Sequence, residues 1–275
     1  MKKIGLALGG GGARGFAHIP MLEVIDDLGI ELHAISGTSA GAIVASLYAS
    51  GMRGFEIREW FEGMLIEKGD GLRELFQKPQ ALRTIEFLDL SFKHSGLLKG
   101  KRFTDTLKEK TSVERFEDLE IPLRVVASDF WKSTQVVLSK GPLFPAIRAS
   151  MCLPGIFVPV EIDGHILIDG GGVNPVPHDI LNDCDVVIAI DVMGFPSNER
   201  PKEPGLFSSV IGMFDVMQNT IIEQRLEATP PNLYLKPDIR GVDILDFHRS
   251  QEVYEMTEPA ARKLQRWLEK LMENW

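Results

Sequence analysis

Cysteine is close to absent. Cys152 and Cys184 are the only two in 275 residues, too few for a disulfide framework, and reduced thiols are the simpler reading. Basic charge is also in short supply: 30 Lys and Arg stand against 39 Asp and Glu, a net charge of −9. A face basic enough to neutralise a phosphate backbone is not expected, which speaks against nucleic acid as a partner. Lipid stays open, because contact with a membrane can be apolar and local. Long hydrophobic runs are missing as well. No window approaches the ~20 apolar residues of a membrane span. The apolar run that opens MKKIGLALGGGG ends in glycine after Leu8, too soon for the core of a signal peptide. The cytoplasm is the expected compartment, with transient contact at a membrane surface left open.

What is present is a rhythm of strand and helix. Residues 3–8 read as a buried strand, 16–28 as a helix with Pro20 near its start, 32–36 as a second strand and 40–50 as a helix of small residues. Residues 54–118 look mostly helical and less regular. Strand patterns return at 122–129 and 134–138, and a short helix is expected at 143–150. A hairpin is expected over 157–168, turning at Asp163-Gly164 in type I′ geometry. The apolar segment 185–191 reads as a central strand, 206–227 as a long helix and 232–236 as a strand. A last helix is expected to begin at Thr257-Glu258-Pro259, with threonine as cap and proline in the first turn. This alternation predicts an α/β fold, three layers with a mainly parallel central sheet covered on both faces. No linker or repeat breaks it. One domain is expected over 1–275, with residues 204–275 packed onto the part that carries the motifs.

Residues Gly10 to Gly15 (GGGARG) satisfy G-x-G-x-x-G after a strand, which raises a dinucleotide site. The rest of that fingerprint is missing. The second strand closes with Ser36 and Gly37 rather than an acid for a ribose. No glycine precedes Lys-Ser or Lys-Thr, so a Walker-type loop is excluded as well. What closes the second strand is Gly37-Thr38-Ser39-Ala40-Gly41, a G-x-S-x-G at a strand-to-helix junction. Parallel strands joined by one helix are usually neighbours, so the glycine loop and Ser39 are expected to face each other. A loop of bare N–H groups beside a raised serine is what an oxyanion hole beside a nucleophile requires.

A serine hydroxyl needs a base. Six histidines are available, His18, His33, His94, His165, His178 and His248; His178 and His248 could follow Ser39 in a triad but sit in no distinctive context, and His33 and His165 read as strand positions. Asp169, in HILIDGGGVNPVP, ends an apolar strand and precedes three glycines. It could make an Asx turn and nothing more. From the edge of the sheet where α/β sites collect it could also take the Ser39 proton directly, if burial lifts its pKa.

The blocks Gly10 to Gly15, Gly37 to Gly41 and Asp169-Gly170-Gly171, with Ala149-Ser150-Met151-Cys152-Leu153-Pro154 between the last two, resemble the patatin-like phospholipase family and its bacterial members. The similarity covers residues 4 to about 191. It implies an α/β/α fold and a lipid acyl hydrolase working with a Ser-Asp dyad, with no metal and no cofactor. Carried over by position, Ser39 is the nucleophile and Asp169 the base. Gly10, Gly11 and Gly12, with Arg14 beside them, form the oxyanion loop. The substrate implied is a lipid or another acyl ester. A regulatory protein that binds an acyl ligand with little turnover and a lipid acyltransferase are the alternatives.

Three further features complete the reading. Val210, Ile211, Phe214, Met217 and Ile221 recur at helical spacing and predict a core-facing stripe, with an acyl-chain wall or lid as the alternative. KHSGLLKGKR (93–102) predicts a solvated basic loop, and Cys152 a packed small residue.

Overall fold

The computed structural model describes residues 2–67, 101–195 and 206–273. Among the described residues eight strands form one sheet: β1 (Ile4–Leu8), β2 (Leu32–Thr38), β3 (Leu123–Asp129), β4 (Thr134–Leu138), β5 (Val160–Ile162), β6 (His165–Asp169), β7 (Val186–Ile190) and β8 (Leu233–Leu235). The helices among the described residues are α1 (His18–Asp27), α2 (Ala40–Ala49), α3 (Gly54–Glu67), α4 (Lys101–Lys110), α5 (Leu143–Ser150), α6 (Leu206–Ala228) and α7 (Ser250–Glu273). The order is β5-β6-β3-β2-β1-β7-β8, with β4 also on β3. The five strands from β3 to β8 pair in parallel, and the hairpins at the β3 end pair antiparallel.

β1 is apolar along its whole length because it lies inside the sheet with both faces covered. Its alternate residues serve two cores. Ile4, Leu6 and Leu8 join Ile188 and Ile190 in a cluster with α1, α2, α3 and α7, while Ala7 and Ala189 pack with Val176, Leu181 and Ile222 on the other face. Three layers result.

One detail of β3 decides where the chemistry sits. Val125 and Val126 pair with both β2 and β4, so those strands hold opposite edges of β3. Ala127 to Asp129 pair with β4 and β6. β6 therefore occupies the edge that β2 leaves. β2 ends at Thr38 opposite Val126, and β6 ends at Asp169 opposite Ala127. The two strand ends meet, and Ser39 and Asp169 are brought together by register.

The structure departs from expectation in a few places. Residues 12–17 form a 3-10 turn before α1 rather than an extension of it. The last helix begins at Ser250, seven residues ahead of the expected Thr257. Thr257 is buried inside it and its hydroxyl donates to the Val253 carbonyl at 2.7 Å. Packing overrides the cap-and-proline signal here: Tyr254 meets Phe16 edge to face, and Arg58 stacks 3.9 Å from the Tyr254 ring centroid. The 160–169 hairpin turns as expected, with Asp163 and Gly164 both at positive φ, 52° and 78°. Residues 93–100 of the basic segment lie outside the described residues.

Candidate active site

Ser39 sits between β2 and α2 with φ 53° and ψ −121°, a conformation that L side chains rarely hold and that costs roughly 1–3 kcal/mol. The turn is possible because of what flanks it. A Cβ on Gly41 would collide with the Leu8 carbonyl oxygen, and one on Gly37 would press on Ala42. The Ser39 N–H donates to Ser150 Oγ at 2.9 Å, and that hydroxyl donates to the Val126 carbonyl at 2.6 Å. The raised hydroxyl of Ser39 stands beside the carboxylate of Asp169, close enough to pull that carboxyl's pKa down.

Asp169 is buried. Its backbone N–H donates to the Cys152 carbonyl at 2.9 Å, and its carbonyl accepts from Ser128 Oγ at 2.7 Å. Its Oδ1 accepts the Gly171 N–H at 2.8 Å, the Asx-type contact that a strand-end aspartate on a glycine turn makes. Loss of water pushes its pKa up from 3.8 to about 6, against the opposing pull of the Gly171 hydrogen bond and the Ser39 hydroxyl. A carboxyl poised there is ionised at neutral pH and still basic enough to accept a proton.

The glycine loop lies alongside: a Cβ on Gly10 would stand 3.3 Å from Ser39 Cβ. The loop's N–H groups divide. Gly10 donates to the Pro175 carbonyl at 2.9 Å and Ala13 to the Ile244 carbonyl at 2.8 Å. Those of Gly11 and Gly12 have no acceptor among the described residues and stand at the start of the 12–17 turn. Gly12 holds φ 58° with the Ile244 carbonyl too close for any side chain, which fixes glycine at that position.

Arg14 is buried under the loop, and its guanidinium is committed to protein groups. It donates to the carbonyls of Gly11, at 3.3 Å, and Met193, and approaches Asp215 of α6 at 3.4 Å. Its geometry is that of a brace for the loop. His18 lies under the same turn, its Nε2 donating to the Gly9 carbonyl at 2.8 Å. Burial lowers its pKa to about 4, so it stays neutral, and its Nδ1 has no partner among the described residues.

Ser39, Asp169, Gly10, Gly11, Gly12 and Arg14 all line one cleft with an empty volume of about 740 Å³, the space open to solvent at its mouth included. Its other walls are mainly apolar: Ile43 of α2, Leu153, Ile156 and Phe157 after α5, Ile211 and Phe214 of α6, and Leu245 and Phe247. No histidine lines it among the described residues. His178 is held by the Val176 and Thr229 carbonyls, and His165 by Asp129. The Cys152 thiol is pushed up to about 12, mainly by burial, and donates to the Val158 carbonyl.

Two functions of sequence segments emerge only from the contacts. The block Ala149 to Pro154 holds both key residues by their backbones, Ser39 through Ser150 and Asp169 through Cys152. The expected core-facing stripe on α6 is overturned: Ile211 and Phe214 face the cleft, while Val210 and Met217 are exposed.

Fold and site define an α/β protein with a strained serine on a strand-to-helix elbow, beside a glycine loop and a buried aspartate. The model of the patatin-like phospholipase family matches residues 6–182, and the chain belongs to that family. An uncharacterized NTE family protein of Mycobacterium bovis is 33% identical over 208 residues, covering 74% of this chain and 53% of the relative. Patatin-like phospholipase domain-containing protein ZK370.4 of Caenorhabditis elegans is 31% identical over 292 residues, 92% of this chain and 20% of that protein. Neuropathy target esterase sws of Drosophila melanogaster is 34% identical over 193 residues, 69% of this chain and 13% of that protein. The chain thus spans about half the length of the mycobacterial relative and far less of the animal ones. Among solved structures, VipD from Legionella pneumophila aligns at a TM-score of 0.48 and 15% identity, over 95% of this chain and 67% of that one.

Proposed function

We propose that the protein is a serine acyl hydrolase of lipid esters, in which Ser39 attacks and Asp169 takes its proton. Residues 1–275 act as one unit in this reading. The observation that carries it is the register that ends β2 and β6 side by side, so that the strained Ser39 and the buried Asp169 carboxyl line one cleft with the glycine loop.

The ester carbonyl enters with its acyl chain along the apolar walls. Ser39 Oγ adds to the carbonyl carbon as its proton passes to Asp169. The oxygen that becomes negative is met by the free N–H groups of Gly11 and Gly12, one such donor being worth roughly 3–4 kcal/mol to the transition state. Gly10 shapes the loop and spends its own N–H on Pro175. Arg14 keeps the loop in place by tying it to Met193 and Asp215. Asp169 then returns the proton to the leaving alcohol and activates the water that releases the acid. The reaction needs no metal or cofactor. A soluble protein acting at the membrane surface from the cytoplasm fits this chemistry, and among the described residues no helix is long and apolar enough to cross a membrane.

The test is hydrolysis of aryl esters of increasing acyl length by wild type and Ser39→Ala. Turnover is expected in wild type and a loss of about 10³-fold or more in the variant. KM should fall severalfold with each added CH2, since each buried methylene contributes about 0.8 kcal/mol. Equal rates for the two proteins would refute the reading.

A further inference from the structure

Two exposed apolar features stand near the sheet edge that carries Ser39 and the cleft. The first is the tip between β3 and β4. β3 runs parallel to β2 and continues past the level of Thr38, which lies opposite Val126. Phe130 follows four positions later, roughly 13 Å further along at ~3.3 Å per residue. The tip therefore projects beyond Ser39 from the sheet edge that carries it. Phe130 and Trp131 are exposed there, Trp131 at 77%, their rings edge to face with centroids 4.8 Å apart. Lys132 is exposed beside them.

This tip is held, not loose. The buried Asp129 carboxylate accepts the N–H groups of Trp131 and Lys132, both at 3.0 Å, and His165 Nδ1 at 2.5 Å. Three polar partners thus fix a turn that presents its largest side chain to water. Holding an aromatic pair out this way gains nothing for the fold. An indole with an apolar body and a polar N–H suits the boundary between lipid headgroups and acyl chains.

The second feature is the outer side of α6. Val210, Met213, Val216 and Met217 are exposed, Val216 at 67%. From 206 to 222 this helix carries one charged residue, Asp215, and that is drawn to Arg14. Its inner side, Ile211 and Phe214, is a wall of the cleft. One helix thus shows apolar groups to solvent and to the cleft together.

We propose that the Phe130–Lys132 tip and the outer side of α6 dock the protein onto the surface of a phospholipid bilayer with the cleft mouth facing the lipid. This rests on the lipid acyl hydrolase reading. An occupant of the α6 face must ask for neither charge nor directional hydrogen bonds, because that face offers almost none. A bilayer asks for neither, and it supplies the acyl esters of the proposed reaction. With a net charge of −9 there is no long-range attraction to anionic lipid, so apolar insertion must carry the binding.

Co-sedimentation of the full chain with phosphatidylcholine vesicles, in low salt and at about 0.5 M NaCl where exposed charges are screened, tests this. Wild type should bind in both. Trp131→Ala and the pair Met213→Ser/Val216→Ser should each lower partitioning roughly tenfold or more, with hydrolysis of a soluble short-chain aryl ester unchanged as proof of folding. Wild-type partitioning by both variants, or no vesicle binding by wild type, overturns the proposal. So does a variant that turns a dimer into a monomer in sedimentation velocity without altering vesicle binding. Vesicle binding that these variants lose, in a protein that hydrolyses no ester, supports the docking surface and counts against the hydrolase reading instead.

Discussion

On one face of the sheet, Ile4, Leu6, Leu8, Ile188 and Ile190 meet α1, α2, α3 and α7 in a cluster whose large side chains are almost wholly buried. On the other, Ala7, Ala34 and Ala189 make a shallow layer under α6, which leaves four large apolar side chains in solvent. The first face is covered the way a scaffold is, with residue choice, helix pattern and packing all in agreement. Among the described residues the second is covered more thinly, and the cleft lies at the end where β1, β2 and β7 stop. The strained Ser39, the open N–H groups and the buried carboxyl all sit at that boundary. A tightly packed face holds them in place against their own cost, and the apolar cleft beside the other face is where the proposed reaction would take an acyl chain.

The contrast can be broken first at the boundary itself. Asp169→Asn should lower turnover of a soluble ester by about 10³-fold or more while the protein stays folded. The same change should raise stability. A carboxyl lifted from 3.8 to about 6 holds its proton more tightly when folded, so its favourable contribution is present below pH 4 and lost as pH rises through 6. At pH 8 the buried ion costs roughly 3 kcal/mol that the amide does not incur. Denaturant unfolding at pH 8 should show a higher midpoint for Asp169→Asn than for wild type, and a lower one would mean the carboxylate is structurally required.

On the packed face the expectation reverses. Leu22 of α1 is fully buried, so Leu22→Ala should cost about 3 kcal/mol by urea unfolding and leave kcat/KM per folded molecule as it was. A large loss of activity there would mean that the scaffold and the site are not separable. The smallest effect is expected on the thin face. Val216→Ser should alter unfolding by no more than about 0.5 kcal/mol, because the side chain is 67% exposed. A loss of several times that size would show that something covers α6.

How much of this was legible in the sequence follows the same division. Ser39 and Asp169 could be found because their surroundings admit few residues: the elbow leaves no space for a Cβ at Gly37 or Gly41, and Asp169 precedes a glycine turn. The strands could be read because buried parallel strands are apolar throughout. For the helix at 206–228 the pattern favours a core-facing stripe over a cleft wall, since a 3.6-residue period marks a stripe and not what lies against it; Ile211 and Phe214 line the cleft instead. The start of α7 was misplaced because Thr257-Glu258-Pro259 imitates a helix start locally, while Tyr254 is held by Phe16 and Arg58 from far along the chain. The division of the loop into bonded Gly10 and open Gly11 and Gly12 depends on Pro175 and Ile244, which no local pattern links to it.

The central claim is that Ser39 is a nucleophile activated by Asp169. The most direct measurement is the rate at which a fluorophosphonate labels the folded protein across pH, with the adduct located by peptide mass spectrometry. The expected result is a single adduct on Ser39, forming at a rate that rises through about pH 6 with the ionisation of Asp169 and falls by orders of magnitude in Asp169→Asn. No adduct, an adduct on another residue, or the same rate and pH profile in Asp169→Asn would contradict it.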